Sequence, residues 1–165
     1  MKSTRPAWKG IVLAGLLTTG LALGANAASA GECPADKRVA VGQGQKPGPT
    51  APKDVTDKVI ATTDLTREAL GIKDRQFRAR QLEIKPGGIV PWHSHGDRPA
   101  MIYVVSGEVT EYASTCAVPI VHRAGEVAAE RAPTSHWWQN TGKASSVLIS
   151  VDLFRIDDKV NEKMM

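Results

Sequence analysis

Beyond its first thirty residues the sequence has no second long apolar run, no sustained helical period, no internal repeat and only two cysteines, Cys33 and Cys116. Each lack excludes something. Without another apolar run, no later segment is suited to cross a membrane as a helix. Without apolar residues recurring at helical spacing the remainder is not a helical bundle, and without a repeat it is one unit and not two fused ones. No Arg-Arg pair precedes the apolar run, so a twin-arginine route is unsupported, and the acidic Glu32 directly before Cys33 argues against a lipid-anchored cysteine.

What the first thirty residues do contain is the three-part pattern of a secretory signal. Lys2, Arg5 and Lys9 give a positive start, Ile11 to Gly24 runs without a charge, and Ala28-Ser29-Ala30 fits an A-x-A cleavage site with the cut before Gly31. Ala25-Asn26-Ala27 offers an earlier cut, and a retained anchor is the competing reading. The chain is therefore expected to be exported, to the periplasm or beyond. Cleavage removes three bases and no acid, so Lys+Arg falls from 21 to 18 against 17 Asp+Glu. A near-neutral remainder gives no support for nucleic-acid or membrane-surface binding. In an oxidising compartment the two cysteines read as one disulfide, Cys33 to Cys116, which would close a long loop and contribute roughly 4 kcal/mol. Free or intermolecular thiols are the alternative.

Residues 31–54 hold four of the ten prolines among polar residues and glycines, and read as an extended arm pinned at Cys33. Residues 55–165 read as one barrel. Short strands are expected at Lys58 to Thr62, Gln76 to Ile84, Ile89 to His95, Ala100 to Ser106, Glu108 to Ala113, Pro119 to Arg123, Glu126 to Arg131, Ser135 to Gln139 and Ser145 to Arg155, with a single helical turn at Thr66 to Leu70. Pro86-Gly87-Gly88, Gly107, Ala124-Gly125 and Asn140-Thr141-Gly142 divide them.

All four histidines fall on these strands, and three of them, His93, His95 and His136, are candidates for one site. Side chains two apart on a strand point to one face, so His93 and His95 point together, and His136 arrives from a distant strand. An isolated His-x-His is often a surface pair, but here the surroundings resemble the two motifs of the cupins. Gly87, His93, His95 and Gly107 stand at the spacing of the first motif, and Gly125, His136 and Asn140 at that of the second. The resemblance covers about Gly87 to Asn140. It implies an all-β, double-stranded β-helix (jelly-roll) barrel, a metal site on His93, His95 and His136, and, by analogy, a homodimer.

Two departures qualify the resemblance. The family's metal-ligating glutamate falls on Ala100, which has no donor atom, and Arg131 and Pro133 stand where proline and glycine are usual in a turn. Asp97 and Glu108 are poorly placed as substitutes. The expectation is thus a neutral site of three imidazoles that keeps the full charge of a divalent ion and favours an anionic or chelating ligand. Fe suits an enzyme of this kind, with Zn, Ni or Cu as alternatives. A metal-free cluster of hydrogen-bonded imidazoles is the competing structural reading. Arg98, Ala100, Ile102, Val104 and Trp138 are candidates for a substrate pocket, although core packing explains the apolar ones equally well. Trp92 and Trp137 fall on the opposite face, Tyr103 reads as packing, and His122 as a core or surface residue outside the site. Two functions stay open: a three-histidine, metal-dependent dioxygenase, as in cupins that lack the glutamate, and a module that holds a metal or small ligand without turning it over.

Overall fold

The structure, a computed structural model, describes residues 31–156. The expected signal segment, residues 1–30, lies outside the described residues. Eight strands follow the arm: β1 (Lys53–Asp64), β2 (Arg75–Ser94), β3 (Ala100–Ser106), β4 (Glu108–Ala113), β5 (Ile120–Arg123), β6 (Val127–Glu130), β7 (Ser135–Gln139) and β8 (Ser146–Arg155). A single 3-10 turn at Leu65–Arg67 stands where a helical turn was expected.

The strands pair antiparallel in the order β5-β4-β7-β2-β8-β3-β6, with β1 also on β2. This is the jelly-roll barrel of the sequence expectation. Its hinge is β2, which the sequence divides at Pro86-Gly87-Gly88 but which runs on as one strand of twenty residues. The first half of β2 pairs β8 from Arg75↔Arg155 to Ile84↔Ser146, while its second half pairs β7 from Ile89↔Gln139 to Ser94↔Ser135. The glycines permit the bend, since a Cβ on Gly88 would meet Asp54 O at 2.7 Å and Lys85 O at 2.8 Å. Asn140 secures it from the other side. Its buried amide donates to Ile84 O at 2.7 Å and Ala144 O at 2.8 Å, and its backbone N–H donates to Gly88 O.

Alternation along β8 is complete, with Ser146, Leu148, Ser150, Asp152 and Phe154 buried and their neighbours half-buried. Register then places Leu82 against Leu148 and Arg78 against Asp152 inside the barrel. The interior is therefore graded. Ile84, Val104, Val109, Leu148 and Trp138 pack an apolar end, each contributing roughly 1.5–3 kcal/mol by burial. At the other end Arg78 donates twice to Asp152, at 3.0 and 2.8 Å, and stacks over Phe154.

The arm is held along its length and not only at one end. Cys33 and Cys116 form the disulfide. Val39 N donates to Thr115 O, Gly42 and Gly44 donate to Ser114 O, and Trp92 N donates to Pro49 O. The outer face of β3, in contrast, leaves Met101, Tyr103 and Val105 exposed, so Tyr103 is a surface residue and does not pack in the core.

Candidate metal centre

His93 and His136 are directly opposite on β2 and β7, and His95 follows just beyond the end of β2. The three ring centroids lie 4.6–4.9 Å apart. Their ε nitrogens converge: His93 Nε2 is 3.0 Å from His95 Nε2 and 3.2 Å from His136 Nε2.

A fourth group completes the cluster, and it is a carboxylate. Glu130, buried on β6, places Oε2 2.9 Å from His95 Nε2 and Oε1 3.3 Å from His136 Nε2. The three-imidazole expectation is corrected here. The reason lies in the register, which pairs Ala100 with Glu130 across β3 and β6, so the carboxylate missing from one strand is supplied by the residue beside it on the next. One signal was in the sequence: Ala128 and Glu130 share a face, and an acidic residue on a buried face needs a cationic partner. What spacing could not show was which strand lies next to Ala100.

The δ nitrogens decide what the cluster can do. His93 Nδ1 lies 2.8 Å from Pro91 O, His95 Nδ1 lies 2.7 Å from Arg98 O, and His136 Nδ1 lies 2.6 Å from Glu111 Oε1. Carbonyl and carboxylate oxygens only accept, so Nδ1 of His93 and of His95 carries the proton and each of these rings, when neutral, turns a lone pair inward at Nε2. At His136 the shorter contact with the Glu111 carboxylate makes Nδ1 a donor as well, although the Trp138 indole N–H also points at it from 3.1 Å. Three lone pairs facing one another cannot hydrogen-bond among themselves, which argues against a self-sufficient imidazole cluster. A cation resolves the arrangement. Ligands bound side by side at about 2.1 Å from an ion stand roughly 3 Å apart, and the four donor atoms, all within 4.8 Å of one another, have that spacing along His95, His93, His136 and Glu130.

Electrostatics show that the cluster draws in positive charge, which a proton on His136 supplies when no metal does. Burial and then the positive neighbour His136 lower the His93 pKa to about 3, so that ring stays neutral. Burial alone would raise Glu130, but His136, His95 and His93 outweigh it and bring the carboxyl down to about 2. At His136 burial opposes the charge while Glu130 and Glu111 favour it, and the carboxylates prevail, raising its pKa. Glu111, though buried, is likewise held ionised by His136 and His122. Two anions therefore flank one imidazole. Glu111 was not a sequence candidate, and it is the outer partner that orients the His136 ring. His122 is fully buried, stacked on Trp138, and places Nε2 2.8 Å from Glu111 Oε2.

The remaining candidates surround the cluster without joining its donor atoms, and Ile102 and Trp138 line the space beside His93 and Glu130. Ala100, Ile102, Val104 and Trp138 belong to the packed core, where a space of only about 20 Å³ remains beside His93 and Glu130. Arg98 serves His95 through its backbone carbonyl while its guanidinium faces Asp152 at 3.9 Å. Asp97 pairs with Arg75 and Arg155 at the surface. The larger opening, a cavity of about 300 Å³, reaches Glu111, Glu130 and His136 from outside the barrel, between the arm at Gly31 to Val39 and the loop at Arg131 to Thr134.

Residues 80–152 match the family model of the cupin domain. No curated protein matches the chain significantly. Among solved structures the chain is similar to an uncharacterized conserved protein with a double-stranded β-helix domain from Klebsiella pneumoniae, at 19% identity and a TM-score of 0.48 over 66% of this chain and 82% of that one. It is also similar to KdgF from Halomonas sp., at 18% identity and a TM-score of 0.49 over 64% and 84%, and to the Schizosaccharomyces pombe Cnp3 cupin domain, at 14% identity and a TM-score of 0.49 over 67% and 71%.

Proposed function

This chain is a small member of the cupin superfamily, and on that premise we propose that it is an exported protein holding one divalent transition metal on His93, His95, His136 and Glu130 and engaging a small polar or anionic molecule there. The observation that carries this reading is the convergence of three Nε2 lone pairs and one carboxylate, with every Nδ1 proton already committed elsewhere. Three nitrogens and one oxygen suit Fe as well as Zn, Ni and Cu, and the oxygen admits Mn, which an all-imidazole site disfavours. Such an ion, with positions left open by the protein, would supply Lewis acidity and exchangeable coordination.

The protein's own part is to fix the rings and to control approach. Pro91 O, Arg98 O and Glu111 set the three rings, while the packed core leaves beside His93 and Glu130 a space of only about 20 Å³, too small for a substrate. A small molecule reaches the centre through the 300 Å³ cavity, beside Glu130 and His136. A cavity touching the ligand set favours turnover of a small molecule, with a dioxygenase as the enzyme reading. Non-catalytic holding of a metal or small ligand is the alternative.

Metal analysis of protein recovered from its exported compartment, followed by oxygen uptake with small anionic thiols and diketones, tests both levels. We expect one metal ion per chain, lost in His136→Ala. Iron with uptake identifies the enzyme, and stoichiometric zinc or copper without uptake identifies the binding protein. A metal-free protein whose melting temperature ignores both added metal and chelator would overturn the reading.

A further inference from the structure

Gly31 lies against the back of the site. A Cβ on it would stand 3.1 Å from His122 Nδ1 and 3.5 Å from Glu126 Oε2, and its φ of +78° is one that side chains rarely adopt. Gly31 also lines the cavity that reaches Glu130 and His136. His122 is fully buried. Its Nε2 is spent on Glu111, and its Nδ1 has no hydrogen-bond partner among the described residues. A buried polar atom without a partner costs free energy unless something supplies one.

The bond before Gly31 is the one that Ala28-Ser29-Ala30 marks for removal. We propose that the α-amino group of Gly31, freed by cleavage of Ala30–Gly31, docks against His122 Nδ1 and the Glu126 carboxylate and so becomes part of the site. The proposal rests on the export reading of the first thirty residues and is independent of metal. Cleavage by a signal peptidase consumes one water. The C–N bond breaks, the Ala30 carbonyl takes the water oxygen and leaves as a carboxylate, and the Gly31 nitrogen ends as an ammonium, its usual form at neutral pH. The intact amide there has one N–H and no charge. The freed nitrogen has three donors and a positive charge, next to one lone pair and one anion.

The residues that follow Gly31 are held in place. Arg38 donates to Glu32 at 3.1 Å and to Cys33 O at 3.3 Å, and Cys33 is bonded to Cys116. Glu126 Oε2 is itself fixed by the Arg123 N–H at 2.8 Å. Once His122 Nδ1 accepts from the amino terminus, its proton must sit on Nε2, which donates to Glu111 Oε2. Glu111 Oε1 is then left to accept from His136 Nδ1. The docked amino terminus therefore reinforces the direction that the Glu111 carboxylate already imposes on the hydrogen bonds from His122 to His136.

The test exports the full chain and establishes the mature amino terminus by intact mass and N-terminal sequencing. It then measures, in chelator, how fast that amine is reductively methylated and at what temperature the protein melts. We expect Gly31 first, with methylation at least about tenfold slower than for an unstructured amine. Glu126→Gln and His122→Gln should each accelerate it, and an alanine inserted between Ala30 and Gly31 should lower the melting temperature by several degrees. A mature terminus at any other residue overturns the proposal, as does a Gly31 amine that reacts like an exposed one. Wild-type reactivity alone decides the matter if the variants fail to fold, and none of these outcomes depends on metal.

Discussion

Two polar clusters are buried in this barrel, and they are built on opposite principles. Around Asp152, donors meet acceptors within the protein: Arg78 binds it twice, Arg80 reaches it at 3.5 Å and also contacts Asp57 and Ser150, and Arg98 approaches from the rim. Around Glu130, acceptors meet acceptors, because the three imidazoles turn lone pairs toward one another and toward a carboxylate. The first cluster pairs its charges within the fold. The second has the donor set to hold a cation, and that difference separates the two networks more clearly than burial does, since Asp152, His95, His136 and Glu130 are all buried.

The largest expected effect is on the self-contained side. Asp152→Ala leaves arginines buried without their shared anion and should cost about 3–5 kcal/mol, measured by urea unfolding, with the same loss in metal and in chelator. A loss that appears only with metal present would erase the distinction between the clusters. Next comes the open side. Zn, Fe or Mn at one hundred times its dissociation constant should stabilise the wild type by about 2.7 kcal/mol, and His136→Ala should abolish the gain while leaving chelator-treated stability far less affected than Asp152→Ala does. Smaller again is the effect of the outer partner. Glu111→Gln keeps an acceptor for His136 Nδ1 but removes a charge, so metal affinity should fall about 10- to 100-fold, read by competition with a chromophoric chelator.

The two clusters also differ in how legible they were. His93, His95 and His136 announce themselves by spacing, because a two-residue period on a strand fixes a face and the flanking glycines and Asn140 fix the turns. Asp152 and the arginines facing it do not. Alternation predicts that Arg78, Arg80 and Asp152 share faces with apolar neighbours, but without the β2-β8 register nothing says that they meet one another. Gly87-Gly88 misled for a related reason: a glycine pair ends a strand or bends one, and only the pairing of both halves of β2 shows which. Local period was readable, and cross-strand neighbourhood was not.

Glu130 is where that boundary can be tested. Ala100 and Glu130 face each other across β3 and β6, so a carboxylate on either Cβ starts from nearly the same place, cross-strand neighbours being about 5 Å apart. Glu130→Ala alone should weaken metal binding and leave the three rings in place. Adding Ala100→Glu should recover affinity to within about tenfold of wild type, because the site requires one carboxylate at that layer and not a particular strand to carry it. Ala100 is buried, so the added side chain fits only if Glu130 has vacated the space; Ala100→Glu in the wild-type background should destabilise the fold by about 1–3 kcal/mol through overpacking. A double variant that folds yet binds metal no better than Glu130→Ala would show that the carboxylate belongs to β6 for reasons of geometry beyond its layer.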